Sequence, residues 1–178
     1  MGNLTKWVLD PSHSEIVFKV KHLMITNVKG EFRKFDASIL SEGTDFNKAK
    51  VEANIDASSI FTNSPDRDAH LQSADFFDAA KYNELRFEGT SFTKLDDENY
   101  QLKGILTIKD VSKEITLDVE FGGLIMDPYG NEKAGFSLNG KINRKDWGLN
   151  WNAALEAGGV MVSEEVRINA EVQFVKQA

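Results

Sequence analysis

Asp10, Ser12, His13 and Ser14 lie within one five-residue stretch, and the first chemistry they suggest is hydrolysis. A nucleophilic serine needs a base in reach and an oxyanion hole. The familiar Gly-x-Ser-x-Gly elbow, with its strand-to-helix turn, does not surround either serine. The segment opens a strand-like run in which neighbours point to opposite faces, so Ser12 and Ser14 are both expected to face away from His13. No catalytic residue is assigned. The only histidines, His13, His22 and His70, raise zinc as a second chemistry. They fall at a strand start, a strand end and a helix, without an i, i+4 pair, so no metal site is expected and hydrogen bonding at a rim is the simpler role. With no cysteine in the chain, disulfides, thiolate ligands and a cysteine nucleophile are excluded. Paired carboxylates, a phosphate-cradling glycine loop and a dinucleotide fingerprint are also missing, so neither enzymatic activity nor a cofactor is expected.

The elements that must position these groups are strands. Apolar residues recur with period two, which places them on one face. Ile16, Phe18 and Val20 alternate with Val17, Lys19 and Lys21, and Val28, Gly30 and Phe32 with Lys29, Glu31 and Arg33. The pattern continues through Phe35–Ile39, Val51–Ile55, Leu85–Gly89, Leu102–Ile108, Ile115–Phe121, Ala134–Ile142 and Val166–Phe174. Connections such as Asp96-Asp97-Glu98-Asn99 and Lys109-Asp110-Val111-Ser112 are too short for parallel crossovers, so neighbours are antiparallel. Gly30, Gly89, Gly104 and Gly140 fall on the inward faces, where glycine permits sharp coiling or close approach of a bulky group. A curved sheet of about eight strands closes into a barrel and removes its edges. The expected fold is therefore all-β, an antiparallel eight-stranded barrel, in one domain over 1–178.

Between Ser58 and Asn83 the alternation stops. Ser64-Pro65-Asp66 is a helix start, with a serine cap, a proline in the first turn and an acid at the positive end. A short helical insertion near 64–80 follows: Ala69–Ser73 continues the first helix, and Ala74–Asp78 reads as a second short turn of helix. Its apolar side chains, Leu71, Phe76 and Phe77, are expected at the open end of the barrel.

The chain holds 12 Phe and 3 Trp against 3 Tyr, so its aromatic content is almost wholly apolar. Many of these rings fall on inward faces. A barrel of this size is either filled by its side chains or holds one small ligand. The filled interior is the plainer reading of the pattern. If a ligand is held, a long hydrocarbon suits the wall, because each buried methylene contributes about 0.8 kcal/mol. Its wall would comprise Phe18, Val20, Phe32, Ile55, Leu71, Phe76, Phe77, Phe87, Leu106, Leu117, Val119, Phe136 and Leu138. His13, Arg67 and His70 are the candidates to meet a polar head group, since Arg suits a phosphate or quinone oxygen. Alternatively, Arg67 and Asp68 pair with neighbours and pin the insertion. Arg144-Lys145-Asp146-Trp147, with Gly148 and Trp151, either closes one barrel end, lies at a dimer contact or simply anchors the core.

With 178 residues, 41% hydrophobic and 28% charged, the composition is that of one globular domain. The net charge of -7 without a basic motif argues against nucleic acid. Met1–Lys6 carries no apolar signal core and no run approaches the length of a membrane span. A cytoplasmic protein without stable membrane insertion is expected, although a trimmed periplasmic form would read the same.

Trp7-Val8-Leu9-Asp10-Pro11-Ser12-His13-Ser14-Glu15-Ile16-Val17-Phe18 resembles the opening of the YceI-like family. His22-Leu23-Met24, Val28-Lys29-Gly30-Glu31-Phe32, Ser58-Ser59-Ile60, Thr62, Arg67-Asp68-Ala69-His70-Leu71 and Ser73-Ala74-Asp75-Phe76-Phe77 continue the likeness. It extends through Gly104-Ile105-Leu106-Thr107-Ile108 to Asn143-Arg144-Lys145-Asp146-Trp147-Gly148-Leu149, and so across nearly the whole chain. The resemblance implies a lipocalin-like antiparallel barrel that binds polyisoprenoid chains such as prenyl quinones or their precursors, often as a homodimer, with no enzymatic activity. An enzyme acting on such a lipid, and a stress-response interaction module whose barrel is only a scaffold, are the alternatives.

Overall fold

A computed structural model describes residues 4–23, 25–152 and 162–178. Its strands are β1 (Thr5–Leu9), β2 (Glu15–His22), β3 (Thr26–Phe32), β4 (Phe35–Glu42), β5 (Asp45–Asp56) and β6 (Ile60–Phe61). The second half supplies β7 (Glu84–Lys94), β8 (Asn99–Ile108), β9 (Val111–Met126), β10 (Glu132–Asn143) and β11 (Glu165–Lys176). All pairings are antiparallel, as the short connections require. The order β1-β4-β5-β7-β8-β9-β10-β11 closes on itself because β1 also pairs with β11. The expected eight-stranded barrel is therefore the observed one.

Three of its eight staves are broken. β11 pairs with β1 at Phe174–Lys176 and with β2 at Arg167–Glu171, so β1 and β2 are successive halves of one stave. The break is the 3-10 turn Pro11–His13, capped by Asp10, whose carboxylate accepts from the Ser12 N–H. β3 and β4 are halves of the next stave. β5 and β6 are halves of a third, broken at the 3-10 turn Ala57–Ser59, where Asp56 accepts from Ser58 in the same way. Local side-chain acceptors of this kind offer the backbone an alternative to the ladder, which is why the strands stop there.

The insertion fills the gap between β6 and β7. Helix α1 (Pro65–Gln72) starts at Ser64, whose hydroxyl accepts from the Arg67 N–H, with proline in the first turn. After Ser73 the chain makes hydrogen-bonded turns, Phe76 N–H to Ser73 O and Phe77 N–H to Leu71 O, rather than the second helical turn expected at Ala74–Asp78. Arg67 and Asp68 form no ion pair with each other. Arg67 donates to the hydroxyl and carbonyl oxygens of Thr62 at 2.8 and 2.7 Å, and Asp68 accepts from the Thr62 N–H and hydroxyl. Both thus tie α1 to the end of β6, as the pinning alternative anticipates.

At the opposite end the lumen is plugged. Phe46 stands 5.3 Å from Trp7, 5.4 Å from Phe121 and 5.2 Å from Phe136 between ring centroids. Trp7 and Phe46 have no exposed surface, and the indole N–H of Trp7 is satisfied by Ser41 at 2.9 Å. Tilted and edge-on rings at these distances gain about 0.5–1.5 kcal/mol per pair beyond their burial.

Candidate functional site

Above the plug the barrel is hollow. A cavity of about 370 Å³ lies within the size range of small-molecule sites. Its floor is Phe92, Phe136 and Phe174, the first two of which also pack on the plug. Every wall residue expected from sequence lines it: Phe18, Val20, Phe32, Ile55, Leu71, Phe76, Phe77, Phe87, Leu106, Leu117, Val119, Phe136 and Leu138. The inward glycines keep it open. Phe18 lies flat over Gly30, its cross-strand partner, and Phe87 lies over Gly104; a Cβ on either glycine would overlap the ring. The aromatic side chains are thereby folded against the wall instead of projecting into the lumen.

The polar lining sits at the mouth, on His22, Thr62, Arg67, His70 and Arg144, and no acidic side chain among the described residues joins them. His70 is held between the elements around it. Its ring stands edge-on to Phe76 at 5.2 Å and to Trp151 at 4.7 Å, and its Nε2 meets the Asp75 carboxylate at 2.9 Å. Arg144 is 3% exposed. It donates to the carbonyls of Ser163, Leu149, Trp151 and Val162 at 2.9, 2.6, 2.8 and 3.2 Å. These acceptors engage all three guanidinium nitrogens but bring no net negative charge. Burial lowers its pKa from the ordinary arginine value, opposed by the field of Glu164, and guanidinium still stays charged. Arg144 therefore clamps Leu149, Trp151, Val162 and Ser163 beside the mouth while leaving a positive charge on the cavity wall. The sequence points to the Arg144–Trp147 stretch as a barrel-end closure, a dimer contact or a core anchor, but not to this role of Arg144. The carbonyls that bind the arginine come from residues up to 19 positions away, and no local pattern announces that. Trp147 is the core anchor that the plainer reading of this loop expects, 2% exposed with its indole N–H on the Leu106 carbonyl at 2.8 Å. Trp151 instead forms part of the cavity wall.

His13 does not belong to this site. It lies at the other end of β2 from His22, its side chain is 58% exposed, and Nδ1 meets Asp10 at 3.0 Å. The geometry corrects a second expectation there. Because Pro11–His13 is a 3-10 turn and not strand, Ser12 Oγ does reach His13 Nδ1, at 3.2 Å, and also donates to Asp10 at 2.7 Å. Serine and aspartate share one ring nitrogen, whereas a catalytic triad needs them on opposite nitrogens. The cluster is a turn cap, backed by Lys133 on Asp10 at 3.1 Å.

The family model for the YceI-like domain matches residues 7–174. The chain belongs to the YceI-like family. A UPF0312 protein of Staphylococcus aureus is 41% identical over 172 residues, which cover 96% of this chain and 98% of that protein. Among solved structures, the YceI protein of Campylobacter jejuni is 38% identical and superposes with a TM-score of 0.75, covering 89% of this chain and 90% of its own. A domain of Saccharophagus degradans described as polyisoprenoid-binding shares the fold at 15% identity and a TM-score of 0.68, covering 96% and 98% of the two chains. In this YceI-like chain no helix among the described residues is long and apolar enough to cross a membrane. Met24, part of the family-like His22-Leu23-Met24 run, lies outside the described residues.

Proposed function

We propose that the barrel carries or stores a polyisoprenoid lipid, such as a prenyl quinone or its precursor. The tail lies along the aromatic and aliphatic wall, and the head rests at the mouth among His22, Arg67, His70 and Arg144. The observation that carries this reading is the distribution of polarity: the wall and floor are hydrocarbon, and all charge-bearing groups gather at one end. Each methylene moved from water to this wall contributes about 0.8 kcal/mol before ordering costs, so a branched chain of several isoprene units is held without any specific polar contact along its length. Membership of the YceI-like family and the polyisoprenoid-binding description of the Saccharophagus degradans domain support the choice of ligand class. The reading involves no chemical step, since no nucleophile–base pair faces the lumen among the described residues.

The test is affinity along a series of prenyl alcohols, geraniol, farnesol and geranylgeraniol, by isothermal titration. Affinity is expected to climb with every added isoprene unit until the tail meets the floor. Affinity that does not depend on tail length would overturn the reading.

A further inference from the structure

The protein is acidic overall, yet one strip of its outer wall is basic. Lys141 on β10 stands opposite Arg167 on β11, Arg167 opposite Lys19 on β2, and Lys19 opposite Lys29 on β3. Four cations thus share one row across four adjacent strands, all of them exposed. Lys21, also exposed, follows on the same face of β2. Like charges placed directly opposite on neighbouring strands destabilise a sheet, and these side chains face away from the core that might compensate. Glu165 relieves part of the row, 3.6 Å from Arg167 and 4.0 Å from Lys141. The nearby Glu31 is engaged by Arg33 at 3.1 Å and Glu164 by Lys145 at 2.8 Å. Among the described residues Lys19, Lys21 and Lys29 have no ion-pair partner.

Strands β2 and β3 end in exposed apolar residues on either side of their turn. Leu23 is 37% and Ile25 80% exposed at the β2–β3 turn. On the inner side of this hairpin, Val20, His22 and Val28 belong to the cavity wall. Cavity mouth, apolar tip and basic flank therefore meet on one hairpin.

We propose that this hairpin and the basic strip beside it dock the barrel, mouth first, on an anionic lipid bilayer, with which the cavity exchanges its cargo. The cargo rests on the lipid-binding reading above; the docking does not. Apolar side chains at such a tip enter the headgroup region, and each Lys or Arg near an anionic surface strengthens binding about five-fold, falling off within a Debye length of about 8 Å. Lys21 borders the tip. Lys19 and Lys29 stand four residues from Leu23 and Ile25, about 13 Å along the strand, which their long side chains shorten. The rest of the acidic surface is repelled by the same bilayer, so the strip also fixes the orientation. A soluble acidic protein would match the lysines but has no use for an apolar tip at the rim of a hydrocarbon cavity.

The full chain is mixed with phosphatidylcholine vesicles, with and without phosphatidylglycerol, and sedimented. Wild type is expected to bind the phosphatidylglycerol vesicles about ten-fold or more tightly than pure phosphatidylcholine. The double variant Lys19→Glu, Lys29→Glu should lose that preference, and Ile25→Ser should weaken binding about ten-fold, the contribution of burying one apolar side chain. Lys19→Gln, Lys29→Gln should fall between, which guards against a folding defect in the charge reversal. None of these residues lines the cavity, so uptake of geranylgeraniol should be unchanged in all variants. Equal binding of wild type to both vesicles, full binding by the charge-reversed protein, or retention on heparin without vesicle binding would each overturn the docking proposal. Vesicle preference without geranylgeraniol uptake would uphold docking and sink the cargo reading.

Discussion

At the closed end of the barrel Phe46 touches Trp7, Phe121 and Phe136, all within about 5.4 Å, and the lumen is solid. At the mouth Phe18, Phe32 and Phe77 stand in a comparable chain, 5.6 and 5.8 Å apart, yet they surround an empty space. The two regions use the same kind of residue to opposite effect. The difference lies in the backbone. Around the plug, register shifts fall at Leu40/Glu42, Gly89/Ser91 and Gly135/Phe136, and Lys48 takes a left-handed φ of 67°. Two of these irregularities turn an extra ring inward: Phe92 after the β7 bulge, Phe46 before the β5 one. Around the cavity the ladders run without shifts, and glycines let Phe18 and Phe87 lie flat against the wall. Bulges crowd one end, and cross-strand glycines clear the other.

Substitutions at the two ends should therefore diverge. The largest effect is expected from Phe46→Ala, which removes the ring on which three others lean. It should cost about 3–5 kcal/mol in urea unfolding, with tail affinity nearly unchanged in whatever protein stays folded; a cost under about 1 kcal/mol would deny the plug its role. Enlargement discriminates next. Ala134, with no exposed surface beside the plug, has no room, so Ala134→Leu should cost about 1–3 kcal/mol. Asp10 tests the hinge between β1 and β2. The Ser12 hydroxyl, then His13 and Lys133, hold its carboxyl well below the ordinary carboxylate range. Its stabilisation is complete at neutral pH and lost as pH falls through and below the usual carboxylate pKa of about 4. Asp10→Asn should cost about 1 kcal/mol at pH 7 and flatten the acid limb of the stability profile; an unchanged acid limb would contradict this assignment. Smallest in stability, Leu138→Phe adds bulk to the hollow half and should cost under about 1 kcal/mol while reducing geranylgeraniol uptake. A large stability loss with uptake intact would reverse the comparison.

The mouth half was legible in the sequence for the same reason that it is regular. Unbroken alternation placed the wall residues that lie on strands, and Ser64-Pro65 marked α1, whose insertion brings Leu71, Phe76 and Phe77 to the wall. Of the plug, Phe121 and Phe136 keep the alternation and were legible, whereas the ring at its centre was not. Phe46 and Phe92 sit across irregularities that flip strand parity, and period-two reasoning has no means of locating a bulge. The polar mouth was half legible. Arg67 and His70 share one helix with a visible cap, whereas Arg144 depends on carbonyls supplied from far along the chain. His13 was misassigned because strand alternation was extended into a turn. Whether the lumen was hollow or filled also lay beyond the pattern, since rings folded over glycines and rings pointing inward occupy the same positions in a sequence.

The most direct test is a crystal structure of the protein grown with geranylgeraniol. Continuous electron density should run from the collar of His22, His70 and Arg144 down to Phe136, with Trp7 and Phe46 unmoved beneath it. A lumen closed by the protein's own side chains, with the alcohol absent or lying on the outer wall, would contradict the account.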